Sequence, residues 1–397
     1  MAGASMKTSR AVILAGGRGE RMMPVTEIMP KPLIPINGQP ILAHQLSQLE
    51  RLGITEVLIL TGYLASSVER FVKNFSTAMK ITCIESEPSD SPATRLLKSR
   101  TAIGDEFLLI YCDNYILSDT DIAQVLNNST DLTFLIETRS EGNIEITSTG
   151  LATYDDGPRS SKLKYVELGN INIRSKFFYE ILERVEDLSK TLSEFSRKYE
   201  CRYVEVTGGV WSISNFERFL KLQKKRPILL LDRDGVLVEK MPKRKYVTNF
   251  QEYQPLEGNW LGLRELAEKG YDFVIATNQP GVALGEVDPI FLSQLHQRIV
   301  ADLLERGIII LAVYVCPHHW NENCDCRKPR PGMLLSAVSD FQLKNDETLY
   351  IGDDDRDLAA ARSANISGVL IGHNHNEKNV FSNVSAAIDT IQSLLFQ

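Results

Sequence analysis

The sequence predicts an α/β protein of two domains, each a parallel sheet covered by helices. Three observations predict it. At 397 residues the chain is too long for one ordinary core and suits two. Short, wholly apolar runs such as Phe107–Cys112, Ile228–Leu231 and Phe273–Ala276, the kind that form strands buried on both faces, alternate with stretches of helical period. Several of these runs stop at a glycine cluster or at carboxylates, so the carboxyl ends of the strands open onto a site.

A composition of 43% hydrophobic and 24% charged residues is that of a soluble globular protein. Nothing approaches the roughly 18 consecutive apolar residues of a membrane span. Met1 to Arg10 has no apolar segment, so no secretory signal and a cytoplasmic location are expected. The net charge of −7 argues against nucleic acid as the main partner, because backbone binding needs clustered base.

In chain order, Ala11–Ala15 is a buried strand followed by Gly16, Gly17, Arg18, Gly19, Glu20 and Arg21. Glycines let backbone amides approach a phosphate closely, and the basic side chains beside them neutralise it. The prolines between Pro24 and Pro35 fix an extended path that returns Lys31 towards this loop. A helix over 41–52, a strand over 56–61, a helix over 64–75 and a strand over 81–85 follow. The Phe107–Cys112 strand ends at Asp113.

The run from Gly16 to Pro35 resembles the signature of the sugar-phosphate nucleotidyltransferases, which join a nucleoside triphosphate to a sugar 1-phosphate. The resemblance implies that Gly16, Gly17, Gly19, Arg21 and Lys31 line the triphosphate and the transferred phosphate, and that Asp113 binds the catalytic magnesium; a turn or capping aspartate is the alternative. Two places depart from the family. Ser91-Pro92-Ala93-Thr94-Arg95 stands where relatives carry Gly-Thr-Ala or Gly-Thr-Gly, and Ser212 stands where a second metal-binding aspartate would fall. The Tyr165–Phe177 segment, with Glu167, Asn170 and Asn172, loosely resembles the sugar-binding part.

The second half opens at Ile228–Leu231, four aliphatic residues that stop at Asp232 and Asp234. Side chains at i and i+2 of an extended chain share a face, so the two carboxylates are expected to converge. A divalent cation would relieve their repulsion, and oxygen ligands suit magnesium; the alternative is an acidic turn after a core strand. Phe273–Ala276 then ends at Thr277-Asn278-Gln279, whose hydroxyl and amide groups can donate to phosphate oxygen. Arg327-Lys328 follows, and the Leu349–Gly352 strand runs into Asp353, Asp354, Asp355 and Asp357.

In this order, the parts over Pro227 to about Gly372 resemble the haloacid dehalogenase-like (HAD-like) phosphotransferases. The resemblance implies that Asp232 is the nucleophile, that Asp234 is the acid and base, and that Lys328 and Thr277 hold phosphoryl oxygens. Asn278 and Arg327 complete the candidate catalytic set. Mg²⁺ would rest on Asp232, Asp353 and the carbonyl of Asp234, with Asp357 orienting Lys328 or the metal's waters. The stretch between Asp232 and Thr277 is too short for a large cap domain, so the phosphatase is expected to be capless and open to small substrates.

Three of the six cysteines fall in Cys316-Pro317-His318-His319-Trp320-Asn321-Glu322-Asn323-Cys324-Asp325-Cys326. Cys316, His318, Cys324 and Cys326 can close a tetrahedral Zn²⁺ site, with His319 as the alternative to His318. Four protein ligands leave no open position, so the zinc loop is expected to be structural and to set the path of Lys328.

This loop in a capless HAD-like domain resembles heptose 1,7-bisphosphate phosphatase and histidinol phosphatase. The first domain favours the heptose enzyme, because removing the 7-phosphate yields a sugar 1-phosphate that a nucleotidyltransferase would use. Asp354 and Leu284 replace a lysine and an arginine of the heptose enzymes, which removes positive charge near the substrate. Two Rossmann-like domains are therefore expected, 1–225 and 226–397. They would make a bifunctional enzyme of nucleotide-activated heptose synthesis that takes sugar phosphates and a nucleoside triphosphate. GTP is the triphosphate implied by resemblance to the heptose and mannose 1-phosphate guanylyltransferases. The competing expectation is a histidinol-phosphate-type or other small-molecule phosphatase tethered to a non-catalytic binding or dimerisation module, which would make the protein a homo-oligomer.

Overall fold

The computed structural model describes residues 8–223, 226–243, 245–372 and 379–395. The chain divides into two compact units. One comprises Met1–Met22, Pro30–Ile34 and Gln39–Phe219, the other Met23–Met29, Pro35–Gly38 and Leu220–Gln397. The boundary expected at Lys225 and the first seven residues lie outside the described residues. No described helix is long and apolar enough to cross a membrane.

In the first unit, Arg10–Leu14 lies between Glu56–Thr61 and Glu106–Tyr111, and Lys80–Glu85 pairs beyond Glu56–Thr61, all in parallel. The helices Ile41–Arg51 and Ala65–Asn74 alternate with these strands along the chain. Parallel pairing extends to Cys201–Glu205 on Leu132–Thr138, but the sheet is mixed. Tyr165–Arg174 runs antiparallel to both Glu106–Tyr111 and Leu132–Thr138 and slips register between Glu167 and Ile171. Val210–Ser212 pairs with Asn114–Ile116 in a separate ribbon that sets Ser212 opposite Asn114, next to Asp113.

The second unit has a wholly parallel sheet in the order Ile310–Cys316, Asp272–Asn278, Ile228–Leu231, Leu349–Gly352, Ser367–Ile371, Val380–Phe381. The first strand of the unit, Ile228–Leu231, is fully buried at the centre. The chain leaves it towards one edge and returns to its other side, so the carboxyl ends of Asp272–Asn278, Ile228–Leu231 and Leu349–Gly352 frame the crevice where strand order reverses. The Asp272–Asn278 strand runs two residues past its apolar core, because Thr277 and Asn278 still pair with Val315 and Cys316. Between Asp234 and Asp272 the described residues form turns, one short 3₁₀ turn and the Glu257–Glu268 helix, with no cap domain among them.

Candidate functional site

In the second unit the strand ends deliver the expected residues to one cavity of about 700 Å³, lined by Asp232, Asp234, Thr277, Asn278, Arg327 and Lys328. Lys328 is buried at its centre. Its Nζ lies 2.9 Å from Asp232 Oδ2 and 2.8 Å from Asp357 Oδ1, and it also meets Ala276 O at 3.0 Å and the Tyr350 hydroxyl at 2.6 Å. Burial works against this ammonium, and Asp232 and Asp357 more than offset it, so its pKa is raised. Burial also raises the Asp232 pKa; Asp357 and Asp234 add to that rise, while Lys328 opposes it.

Asp357 Oδ2 accepts from the Asp353 and Asp354 N–H groups at 3.0 and 3.1 Å, which closes the turn after Leu349–Gly352. Asp232, Asp353 and Asp357 bring carboxylate oxygens within 4.8 Å of one another, a donor set of the hard-oxygen kind that fits Mg²⁺. The Asp234 carboxylate is not in that group. Its Oδ1 accepts from Arg233 Nη2 at 2.8 Å and its Oδ2 from Gln279 Nε2 at 2.7 Å. Asp232 and Asp234 both line the cavity, and the strand ends at Leu231, before either of them.

Asn278 lines the cavity and also holds the backbone of Lys328. Its amide donates to Lys328 O and accepts from Lys328 N, both at 3.1 Å, so it clamps the lysine's backbone. Arg327 is on the cavity wall, with Nη1 3.4 Å from His318 O. Asp354, noted as a departure from the heptose enzymes, caps the Asp355–Ser363 helix, and the Arg356 guanidinium holds its carboxyl well below the usual range.

The sequence reading passed over Arg233, His296 and Lys240. Arg233 is buried and donates from Nη1 to His296 Nε2 at 3.2 Å. Burial and then Arg233 hold His296 well below its ordinary pKa, so the ring is neutral and accepts. Lys240 pairs with Asp353 at 2.6 Å across 113 residues of chain. Arg233 lay in plain view between two aspartates, but period-2 alternation points it away from them.

Cys316, His318, Cys324 and Cys326 converge as expected. Sγ of Cys316 lies 3.7 Å from His318 Nδ1 and 3.6 Å from Cys324 Sγ; Cys326 Sγ lies 3.2 Å from His318 Nδ1 and 3.5 Å from Cys324 Sγ. A tetrahedron with Zn–S of about 2.3 Å and Zn–N of about 2.0 Å has edges of roughly 3.5–3.8 Å, so this donor set fits zinc. His319 instead packs against Trp320, with ring centroids 3.8 Å apart.

In the first unit, Gly16, Gly17, Gly19, Arg21, Lys31 and Asp113 line one cavity of about 980 Å³. Ser91 caps the Pro92–Lys98 helix, and that helix carries Arg95 beneath the glycine loop. The buried Arg95 guanidinium donates to Thr61 O at 2.7 Å, Glu87 O at 2.9 Å and Gly16 O at 3.1 Å. It sits so close that a Cβ on Gly16 would lie 2.2 Å from it, so any larger residue there would have to displace the guanidinium. Lys31 Nζ pairs with Asp113 Oδ2 at 2.7 Å. Ser212 Oγ accepts from Arg218 Nη1 at 3.3 Å. Asn172, expected near the sugar, is instead in the core, bonded to Thr8 and Val125 O.

Residues 10–152 match the nucleotidyl transferase family model and residues 325–391 the HAD-hydrolase-like model. The D-glycero-β-D-manno-heptose-1,7-bisphosphate 7-phosphatase of Pseudomonas putida is 33% identical over 151 residues, 38% of this chain and 85% of that protein. The D,D-heptose 1,7-bisphosphate phosphatase of B. bronchiseptica, solved with magnesium and phosphate, is 27% identical with a TM-score of 0.39, covering 42% of this chain and 98% of that one. HddC from Yersinia pseudotuberculosis is 20% identical with a TM-score of 0.45, over 55% of this chain and 99% of that one.

Proposed function

The chain belongs to the D-glycero-β-D-manno-heptose-1,7-bisphosphate 7-phosphatase family, and we propose that it is a bifunctional enzyme of nucleotide-activated heptose synthesis. Its second unit removes the 7-phosphate of heptose 1,7-bisphosphate, and its first transfers a nucleotidyl group, GMP from GTP, to the resulting heptose 1-phosphate. The observation that carries the phosphatase reading is Lys328 held between Asp232 and Asp357 where the strand order reverses.

Asp232 attacks phosphorus, and the bond to the sugar oxygen breaks as Asp234 delivers a proton to that oxygen. Asp234 then takes a proton from the water that attacks the aspartyl-phosphate, and phosphate leaves. Lys328 and Thr277 hold the phosphoryl oxygens, and Asn278 fixes Lys328 by its backbone. Magnesium on Asp232, Asp353 and the Asp234 carbonyl would supply the positive charge that lets an anionic nucleophile meet an anionic phosphate. Zinc on Cys316, His318, Cys324 and Cys326 would hold the loop that leads into Arg327 and Lys328. In the first unit, the loop from Gly16 to Arg21 and Lys31 cradles the triphosphate.

Asp232→Asn tests the sequence of steps. Given heptose 1,7-bisphosphate and GTP, the parent should release phosphate and then form nucleotide-heptose. The variant should do neither, yet should still convert added heptose 1-phosphate. Faster hydrolysis of histidinol phosphate than of the bisphosphate would overturn the heptose reading. A second reading, in which the first unit binds phosphates without transferring them, is favoured by Ser212 and by the Lys31–Asp113 pair. It predicts no pyrophosphate release with any triphosphate.

A further inference from the structure

Arg233 ties three parts of the phosphatase site together. Its backbone N–H donates to Asp232 Oδ1 at 2.7 Å. Its guanidinium donates to Asp234 Oδ1 from Nε at 3.2 Å and from Nη2 at 2.8 Å, and the remaining nitrogen, Nη1, reaches His296 Nε2 at 3.2 Å. His296 comes from the Pro289–Leu304 helix, 63 residues further along the chain, and both side chains are buried.

A guanidinium has five N–H donors and no lone pair, so it can only donate. Nε2 of His296 is therefore the acceptor, which makes the ring neutral with its proton on Nδ1. A neutral acceptor takes up the third nitrogen of Arg233 without cancelling its charge, whereas a carboxylate in the same place would pair with the guanidinium and compete with Asp234. The fork grips one oxygen of Asp234. The other, Oδ2, accepts from Gln279 Nε2 at 2.7 Å, and Gln279 also donates to the Thr277 hydroxyl at 2.8 Å. With donors on both oxygens the group is held as a carboxylate, the form that takes a proton from water, and bonds between charged groups of this kind are the strong ones. A guanidinium fixed only by Asp234 could turn with it. His296 anchors the far end.

We propose that His296 is a positioning residue for the hydrolysis step: through Arg233 it keeps the Asp234 carboxylate ionised and aimed at the water that attacks the aspartyl-phosphate. In that step the water oxygen bonds to phosphorus, its proton passes to Asp234, and the bond from phosphorus to the Asp232 oxygen breaks, returning its electron pair to that carboxylate. This rests on the reading of Asp232 as the nucleophile and Asp234 as the acid and base.

The test separates the two halves of the reaction in acid-quenched samples, with heptose 1,7-bisphosphate and with p-nitrophenyl phosphate, whose leaving group departs without a proton. His296→Leu, shown folded by circular dichroism, should form aspartyl-phosphate from p-nitrophenyl phosphate in the first turnover at the parent's rate, to within about twofold. It should release phosphate from both esters about tenfold or more slowly, the loss expected for one charge-assisted hydrogen bond, so that phosphoenzyme accumulates. His296→Gln, whose side-chain oxygen can accept from Arg233, should recover most of that loss. Should His296→Leu fail to fold, Arg233→Lys, which keeps the charge but cannot span Asp234 and His296, is read in its place. A merely structural role would slow both halves together. Equal slowing of both halves with p-nitrophenyl phosphate, no accumulation of phosphoenzyme, or His296→Gln as slow as His296→Leu would overturn the proposal. Asp234→Asn reads the underlying assignment: phosphoenzyme trapped by Asp234→Asn beside normal turnover in His296→Leu would remove only the role of His296. No trapping by Asp234→Asn, or a parent that forms aspartyl-phosphate from neither ester, would remove the assignment and this proposal with it.

Discussion

Glu167→Gln is expected to change how the stability of the first unit depends on pH. Glu167 is 7% exposed, and burial raises its pKa from 4.5 to about 7, with Asp113 adding to the rise and the Gly169 N–H and Arg159 opposing it. An acid whose pKa is raised on folding binds its proton more tightly in the folded state. Stability from this group is therefore fully present below the unfolded value of 4.5 and is lost as pH rises to about 7, above which the buried charge is a full penalty. At 1.36 kcal/mol per pKa unit, the penalty is roughly 3 kcal/mol. Glutamine keeps an oxygen for the Gly169 N–H and cannot ionise. Urea unfolding followed through Trp211, with Trp260 and Trp320 replaced by Phe in both chains, should thus find parent and variant alike near pH 4.5, and the variant more stable by roughly 3 kcal/mol at pH 8. Parallel stability curves for the two chains would refute the burial argument.

Lys328→Met should lower phosphate release from the bisphosphate by about a hundredfold or more, because two carboxylates and the phosphoryl group lose their shared cation; a change below threefold would remove Lys328 from the mechanism. Gly352→Ala would place a Cβ 2.3 Å from that of Asp357, and overpacking of this kind costs about 1–3 kcal/mol. Phosphate release should fall while the first unit's binding is untouched, and an unchanged kcat would show that Asp357 need not hold Lys328. Purified protein should carry about one zinc per chain, and Cys324→Ser should lose it together with most phosphatase activity; full activity without zinc would end the structural role of the loop. Arg233→Met should cut kcat by about tenfold or more with KM little changed, since Asp234 loses the donor that orients it; a rise in KM alone would point to substrate binding instead.

The sequence by itself determined the buried strands and the cluster of Cys316, His318, Cys324 and Cys326. Ile228–Leu231 begins and ends where the apolar run does, and Glu56–Thr61 extends it by one residue at each end, because a strand covered on both faces has no polar position in its middle to interrupt it. The convergence of the three cysteines and the histidine was legible because all four lie within eleven residues, where spacing nearly fixes geometry. Tertiary structure alone decided which carboxylates meet. Asp357 joins Asp232, and Asp234 turns to Arg233 and Gln279, because the chain leaves its strand at Leu231 and helix capping and sheet order take over. The antiparallel Tyr165–Arg174 strand, the Lys31–Asp113 pair and the Lys240–Asp353 pair were likewise out of reach. Periodicity records which face of an element is buried and says nothing of what lies against it. Partners tens of residues apart are chosen only when elements pack, and in both units those partners decide where charge is held.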